Sequence, residues 1–164
     1  MTVKIVNLKV NGVDQAFMAK PATTLLLALR EQLGLTGAKR GCAQGACGSC
    51  TVLVDGAPVV SCLVPAATVD GADVATVEGL ADGQQLSDVQ QAFLDGFATQ
   101  CGFCTPGMIM SAEALLARNP DPTVDDVNEA ISGNVCRCTG YAPIVSAILD
   151  AAQRRRSRVS EEAH

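Results

Sequence analysis

The chain has no tryptophan, one tyrosine, Tyr141, and one histidine, His164. So little aromatic surface leaves few platforms for stacking bases, and a net charge of −5 gives no general attraction to phosphate backbones. Nucleic acid is therefore not expected as a partner. The longest obvious apolar run, Leu25 to Leu29, is far short of the roughly 20 residues that span a bilayer, so no membrane span is expected. Also missing are G-x-G-x-x-G, G-x-x-x-x-G-K-S/T, an internal histidine and any nucleophile–base pair. The sequence offers no catalytic residue for substrate turnover. No basic segment, twin arginine or cleavage site precedes the pattern that starts at Val3-Lys4, which predicts a mature chain beginning at Met1 in the cytoplasm.

What is present is 164 residues with 48% hydrophobic content, enough for one ordinary domain or two small ones and too apolar for a mainly disordered chain. Val6, Leu8 and Val10 alternate with polar residues, and Asn11-Gly12 suits a tight turn to a returning strand over 13–19. Thr24 can cap a helix through Leu25, Leu26, Leu29 and Leu33 that stops at Gly34. Residues 51–54 and 59–64 read as a second hairpin around Asp55-Gly56-Ala57-Pro58, and 74–77 as a fifth strand. This is a small sheet wrapped over one helix.

From Ser87 the period becomes helical, with Val89, Phe93 and Phe97 on one face. Thr105 and Pro106 open a helix reaching about Arg118, Thr123 and Asp126 make a capping box for a third, and Pro143 opens a fourth with Ile144, Ile148 and Ala152 on one face. The boundary is expected near residues 78–84, dividing the chain into 1–80, 81–153 and a basic tail, 154–164. Arg154, Arg155, Arg156 and Arg158 in that tail read as a solvated helix end or a grip for a partner.

The eight cysteines form two constellations. Cys42, Cys47, Cys50 and Cys62 have the spacing C-x4-C-x2-C-x11-C, the plant-type arrangement for a 2Fe-2S cluster. Gly41, Gly45 and Gly48 lie among them, where residues without a Cβ let the backbone curl and aim N–H groups at sulfur. Cys101, Cys104, Cys136 and Cys138 form a C-x2-C and a C-x-C pair, each at an expected helix start, where the positive end of the helix favours thiolate. Disulfides suit the even count but not a reducing compartment. Structural zinc would accept four thiolates in either half and stays open, although the first loop favours iron and sulfide and C-x-C is tight for a zinc knuckle. A Rieske-type cluster needs two histidines. Two one-electron centres and nothing else describe a chain that takes electrons from one partner and passes them to another.

Three stretches, GCAQGACGSCTVL at 41–53, QCGFCTPGMI at 100–109 and SGNVCRCTGYA at 132–142, closely resemble the iron-sulfur subunit of the molybdenum hydroxylases, the xanthine oxidase and aldehyde oxidoreductase family. The likeness spans about residues 3–152 and fills all eight ligand positions. It implies an α+β chain, with an N-terminal β-grasp ferredoxin-like domain followed by a C-terminal all-α four-helix bundle. It further implies two 2Fe-2S clusters relaying electrons from a molybdopterin cofactor on a large subunit to FAD on a medium subunit. The assembly would be a heterotrimer or a dimer of heterotrimers, with substrate selectivity in the large subunit. Carried over by position, Cys138 would lie against the pterin and Gln100 would hydrogen-bond it; the alternative for Gln100 is a polar residue facing water. Competing with the relay subunit are a free-standing two-cluster ferredoxin and a zinc-stapled interaction module.

Overall fold

A computed structural model describes residues 3–162. Met1 and His164, and the expectations resting on them, lie outside the described residues.

Strands β1 (Lys4–Val10) and β2 (Val13–Ala19) pair antiparallel in a register that sets Val10 opposite Val13. Asn11 and Gly12 both have positive φ, 51° and 81°, as a two-residue type I′ turn requires. Val6, Leu8 and Val10 point into the core. Thr24 caps helix α1 (Leu25–Leu27) by accepting from the Leu27 N–H at 3.3 Å, and the helix widens into a π-helical turn over Ala28–Gln32. Leu25, Leu26, Ala28 and Leu29 are buried beneath the sheet, and left-handed Gly34 follows the helix.

Strands β3 (Thr51–Val54), β4 (Ala57–Val60) and β5 (Asp73–Ala75) complete a sheet of order β2-β1-β5-β3-β4, in which β1 and β5 run parallel. The expected strand over 59–64 is shorter and earlier, because at Ser61 the chain leaves the ladder. The Ser61 N–H and hydroxyl both donate to the Cys50 carbonyl, at 3.3 and 2.7 Å. β5 likewise ends before Thr76, whose N–H donates to the Asn11 side chain at 2.8 Å.

The second half holds α2 (Asp88–Asp95), α3 (Thr105–Arg118), α4 (Val124–Ile131) and α5 (Ala142–Glu162). Capping boxes close α2 with Ser87 and Gln90, and α4 with Thr123 and Asp126. Cys104, not Thr105, is the N-cap of α3. The expected face of α2 is realised for Val89 and Phe93, which are buried, but not for Phe97. The helix stops at Asp95 with Gly96 as its cap, and Phe97 turns left-handed at φ 49° and is 81% exposed.

On α5, Ile144, Ile148 and Ala152 are buried as their spacing implies. Its arginines are paired within the chain although Arg156 and Arg158 remain exposed: Arg154 pairs with Asp95 and Asp150, Arg155 with Glu113 and Asp88, Arg156 with Asp121 and Arg158 with Asp88. Two separate buried clusters result, one drawn from residues 6–74 and the other from 89–152. Among the described residues no helix is long and apolar enough to cross a membrane.

Candidate metal centres

The first cysteine group is built on the β3–β4 ladder and the loop leading into it. Pairing of Thr51 with Val60 leaves Cys50 and Cys62 side by side just beyond the ladder, both buried, and Ser61 ties the turn to the Cys50 carbonyl. Burial pushes the Cys50 thiol up, and the neighbouring Cys62 acts on it as well. Cys42 and Cys47 make the second pair, half-buried at the loop's outer side. The Gln44 N–H donates to the Cys42 sulfur at 3.4 Å, and with Cys47 and the Ala46 N–H it brings that thiol down to about 7. The loop is compressed. Ala43 sits at φ 55°, and a methyl group on Gly41 would lie 2.8 Å from the Cys47 sulfur and 3.4 Å from the ring of Phe103.

In the second group the Cys138 and Cys101 sulfurs are 3.6 Å apart and both residues are exposed. Beneath them Cys104 and Cys136 form the other pair. Burial pushes Cys104 up to about 12, and the neighbouring Cys136 adds to the rise. Burial raises Cys136 as well, but the Thr139 side chain and N–H and the Cys138 N–H outweigh it and bring Cys136 down to about 7. One thiol goes down as its partner goes up, as expected when two close acids share a proton.

The expectation that both pairs stand at helix starts holds only for Cys104. α5 begins at Ala142, four residues past Cys138, and its first turn does not reach these sulfurs in sequence. The loop before α5 is held by side chains instead. Thr139 lies 3.1 Å from the Cys136 sulfur through its hydroxyl and 3.5 Å through its N–H, and the Cys136 N–H donates to the Tyr141 hydroxyl at 2.9 Å.

Each group thus resolves into two sulfur pairs, and among the described residues no three ligating side chains converge closely enough to hold a single ion. One zinc needs four sulfurs around one point. Two irons bridged by sulfide need two thiolates each, which the pairs supply, with protonated sulfurs here standing in for thiolates. Backbone N–H groups already aimed at Cys42 and Cys136 suit the extra negative charge of such a centre.

Gln100 is exposed and adjoins Cys101, at the corner where Cys101 and Cys138 surface. Three residues that cysteine spacing does not single out organise the second group: Thr139, Tyr141 and Asn134. Their only outward sign is the polar run around the C-x-C pair.

Comparison with known proteins gives a 2Fe-2S iron-sulfur cluster binding domain over residues 8–81 and a 2Fe-2S binding domain over 76–149. The nicotinate dehydrogenase small FeS subunit of Eubacterium barkeri is 47% identical over 149 residues, 91% of this chain and 95% of the relative. The xanthine dehydrogenase iron-sulfur-binding subunit of Escherichia coli O157:H7 is 49% identical over 86% of this chain and 89% of the relative. Among solved structures, quinoline 2-oxidoreductase from Pseudomonas putida 86 superposes with a TM-score of 0.91 at 46% identity, covering 96% of this chain and 98% of that chain. The aldehyde oxidoreductase of Desulfovibrio desulfuricans ATCC 27774 also gives 0.91, at 43% identity, but this chain spans only 17% of it.

Proposed function

Because the chain belongs to the family of iron-sulfur small subunits of molybdenum hydroxylases, we propose that Cys42, Cys47, Cys50 and Cys62 hold one 2Fe-2S cluster and Cys101, Cys104, Cys136 and Cys138 the other. The protein is the electron-transfer component of an oxidoreductase. When bound, the clusters supply one-electron carriers between a molybdopterin site and FAD. The chain's own part is to hold thiolates, donate N–H groups to them, and fix the two centres relative to one another.

The observation that carries the ligand assignment is that the fold gathers each quartet in one place, Cys50 and Cys62 at the end of the β3–β4 ladder and the Cys101 and Cys138 sulfurs 3.6 Å apart. The exposed Cys101–Cys138 corner, with Gln100 beside it, is the face we assign to the pterin of a large subunit. A medium subunit would carry FAD, and the three chains would form a heterotrimer, alone or paired, in the cytoplasm. We read residues 1–80 as a β-grasp ferredoxin-like domain, 81–153 as a four-helix bundle and 154–164 as a tail. A chain fused into one large polypeptide, as in the aldehyde oxidoreductase, is what a constitutive subunit permits and a free-standing ferredoxin does not need.

The test is iron and sulfide content with low-temperature EPR of the anaerobically reduced chain, purified with whatever accompanies it. About four irons per chain and two distinct signals are expected from two clusters of two irons. Zinc, or a single signal, defeats the assignment for at least one quartet.

A further inference from the structure

Three segments meet at one buried side chain. Asn134 is 5% exposed in the loop before α5, and its Nδ2 donates to the Gly48 carbonyl of the first cysteine loop at 3.0 Å. Its Oδ1 accepts from the Ser111 hydroxyl of α3 at 2.9 Å, and its own N–H donates to the Ile131 carbonyl at 2.8 Å. The same Gly48 carbonyl accepts from the Thr51 hydroxyl at 2.7 Å. One residue on, the Val135 N–H donates to the carbonyl of Cys47 at 2.9 Å. A main-chain hydrogen bond therefore joins a cysteine of the first group to the residue preceding Cys136 of the second.

There is no slack around this junction. A Cβ on Gly48 would run into the Gly133 carbonyl and lie 2.7 Å from Asn134 Nδ2, and a Cβ on Gly107 of α3 would run into the Gly48 carbonyl. Gly48 is also left-handed, at φ 66°. Val135, by contrast, is half exposed. A main-chain bond at an exposed residue frays unless a neighbour holds it. Asn134 is that neighbour.

We infer that Asn134 is a positioning residue for the relay: its buried amide locks the Cys47–Gly48 turn against the Val135–Cys136 segment and so sets how the two cysteine quartets are placed relative to each other. This rests on the quartets being the cluster ligands. A carboxylate at 134 keeps the shape and the Ser111 contact but faces the Gly48 carbonyl with no proton to donate.

The experiment compares the wild-type complex with Asn134→Asp and Ser111→Ala, each purified with its partner subunits. Iron content, magnetic coupling between the two reduced clusters and hydrogen exchange at the Val135 amide are measured. The expectation is full iron loading, altered coupling in both variants, and Val135 exchange about tenfold faster in Asn134→Asp with a smaller rise in Ser111→Ala. A lower melting temperature with unchanged coupling and exchange would mean that Asn134 merely stabilises the fold, and would overturn the inference. If Asn134→Asp loses iron, Ser111→Ala decides by the same readouts. A wild-type complex without two cluster signals defeats the ligand assignment itself, which is a separate outcome.

Discussion

The Cys136 N–H donates to the Tyr141 hydroxyl across a 2.9 Å hydrogen bond, and that hydroxyl in turn donates to the Asn134 carbonyl at 3.3 Å. The single tyrosine of the chain thus closes the loop carrying the C-x-C pair into a ring. Its backbone is left-handed, at φ 69°, so the side chain is turned back over the loop it follows.

Tyr141→Phe keeps the ring packing and removes both hydrogen bonds, leaving the Cys136 N–H partly buried without a partner. The expected cost is about 1 kcal/mol, a fall in melting temperature of roughly 2–4 °C for a chain of this length. Calorimetry of the iron-loaded chain measures it, and an unchanged transition would show that the loop does not depend on this ring closure.

Gly41→Ala should damage one centre and spare the other. The added methyl meets the Cys47 sulfur at 2.8 Å and the Phe103 ring at 3.4 Å, so the sulfur must leave the position from which it would hold iron. Iron should fall from about four to about two per chain, with the remaining EPR signal being that of the helical half. Full iron with both signals intact would contradict the tight-loop account.

The first half of the fold was largely legible because its signals are local. Asn11-Gly12, Thr24 and Asp55-Gly56 each act through their own backbone. Phe97 was placed wrongly because a four-residue spacing does not register that Gly96 ends the helix first. The eight cysteines stood out by spacing, but their supports did not. Ser111 and Asn134 lie 23 residues apart, and Asn134 and Gly48 lie 86 apart. Such partners meet only when α3 packs on the sheet, and neither periodicity nor a capping rule marks them. The arginines of α5 were illegible for the same reason, since their partners Asp88, Asp95, Glu113 and Asp121 sit on other elements.

Those arginines carry a modest prediction. Asp88 receives both Arg155 and Arg158, so Asp88→Asn loosens α5 from α2 at two points. Arg158 is half exposed and Arg155 partly so, which limits the expected loss to about 1 kcal/mol or less. The difference from wild type should shrink in about 1 M salt. A salt-independent loss would assign the effect to helix capping rather than to the ion pairs.

The cysteine thiols predict a pH order of reactivity in the cluster-free chain. Thiolate is the nucleophile, so alkylation of half-buried Cys42 should rise through about pH 7, that of Cys136 should follow the same pH dependence at a lower rate because its sulfur is buried, and Cys104, pushed up to about 12, stays slow across this range. The signs for stability are opposite. A thiol lowered from 9.0 contributes stability that is present above 9 and lost as pH falls through about 7, while Cys104 contributes below 9 and loses it as pH rises through about 12. Thr139→Val should move Cys136 alone upward, because it removes the hydroxyl and leaves the Thr139 N–H in place. Residue-resolved alkylation by mass spectrometry checks both the order and the selective shift.

Gln100 tests the assignment of the exposed corner. It precedes Cys101, whose sulfur is 3.6 Å from that of Cys138, so a cofactor reaching these two sulfurs from a partner subunit comes within range of its amide. Gln100→Ala removes that amide without touching any cysteine, and iron content should stay at about four per chain. If the amide orients the pterin, losing one hydrogen bond of about 1 kcal/mol slows reduction of the nearer cluster about fivefold in a pre-steady-state experiment on the assembled complex. Reduction at the wild-type rate would instead make Gln100 a solvent-facing residue, and would move the docking face away from the Cys101–Cys138 corner.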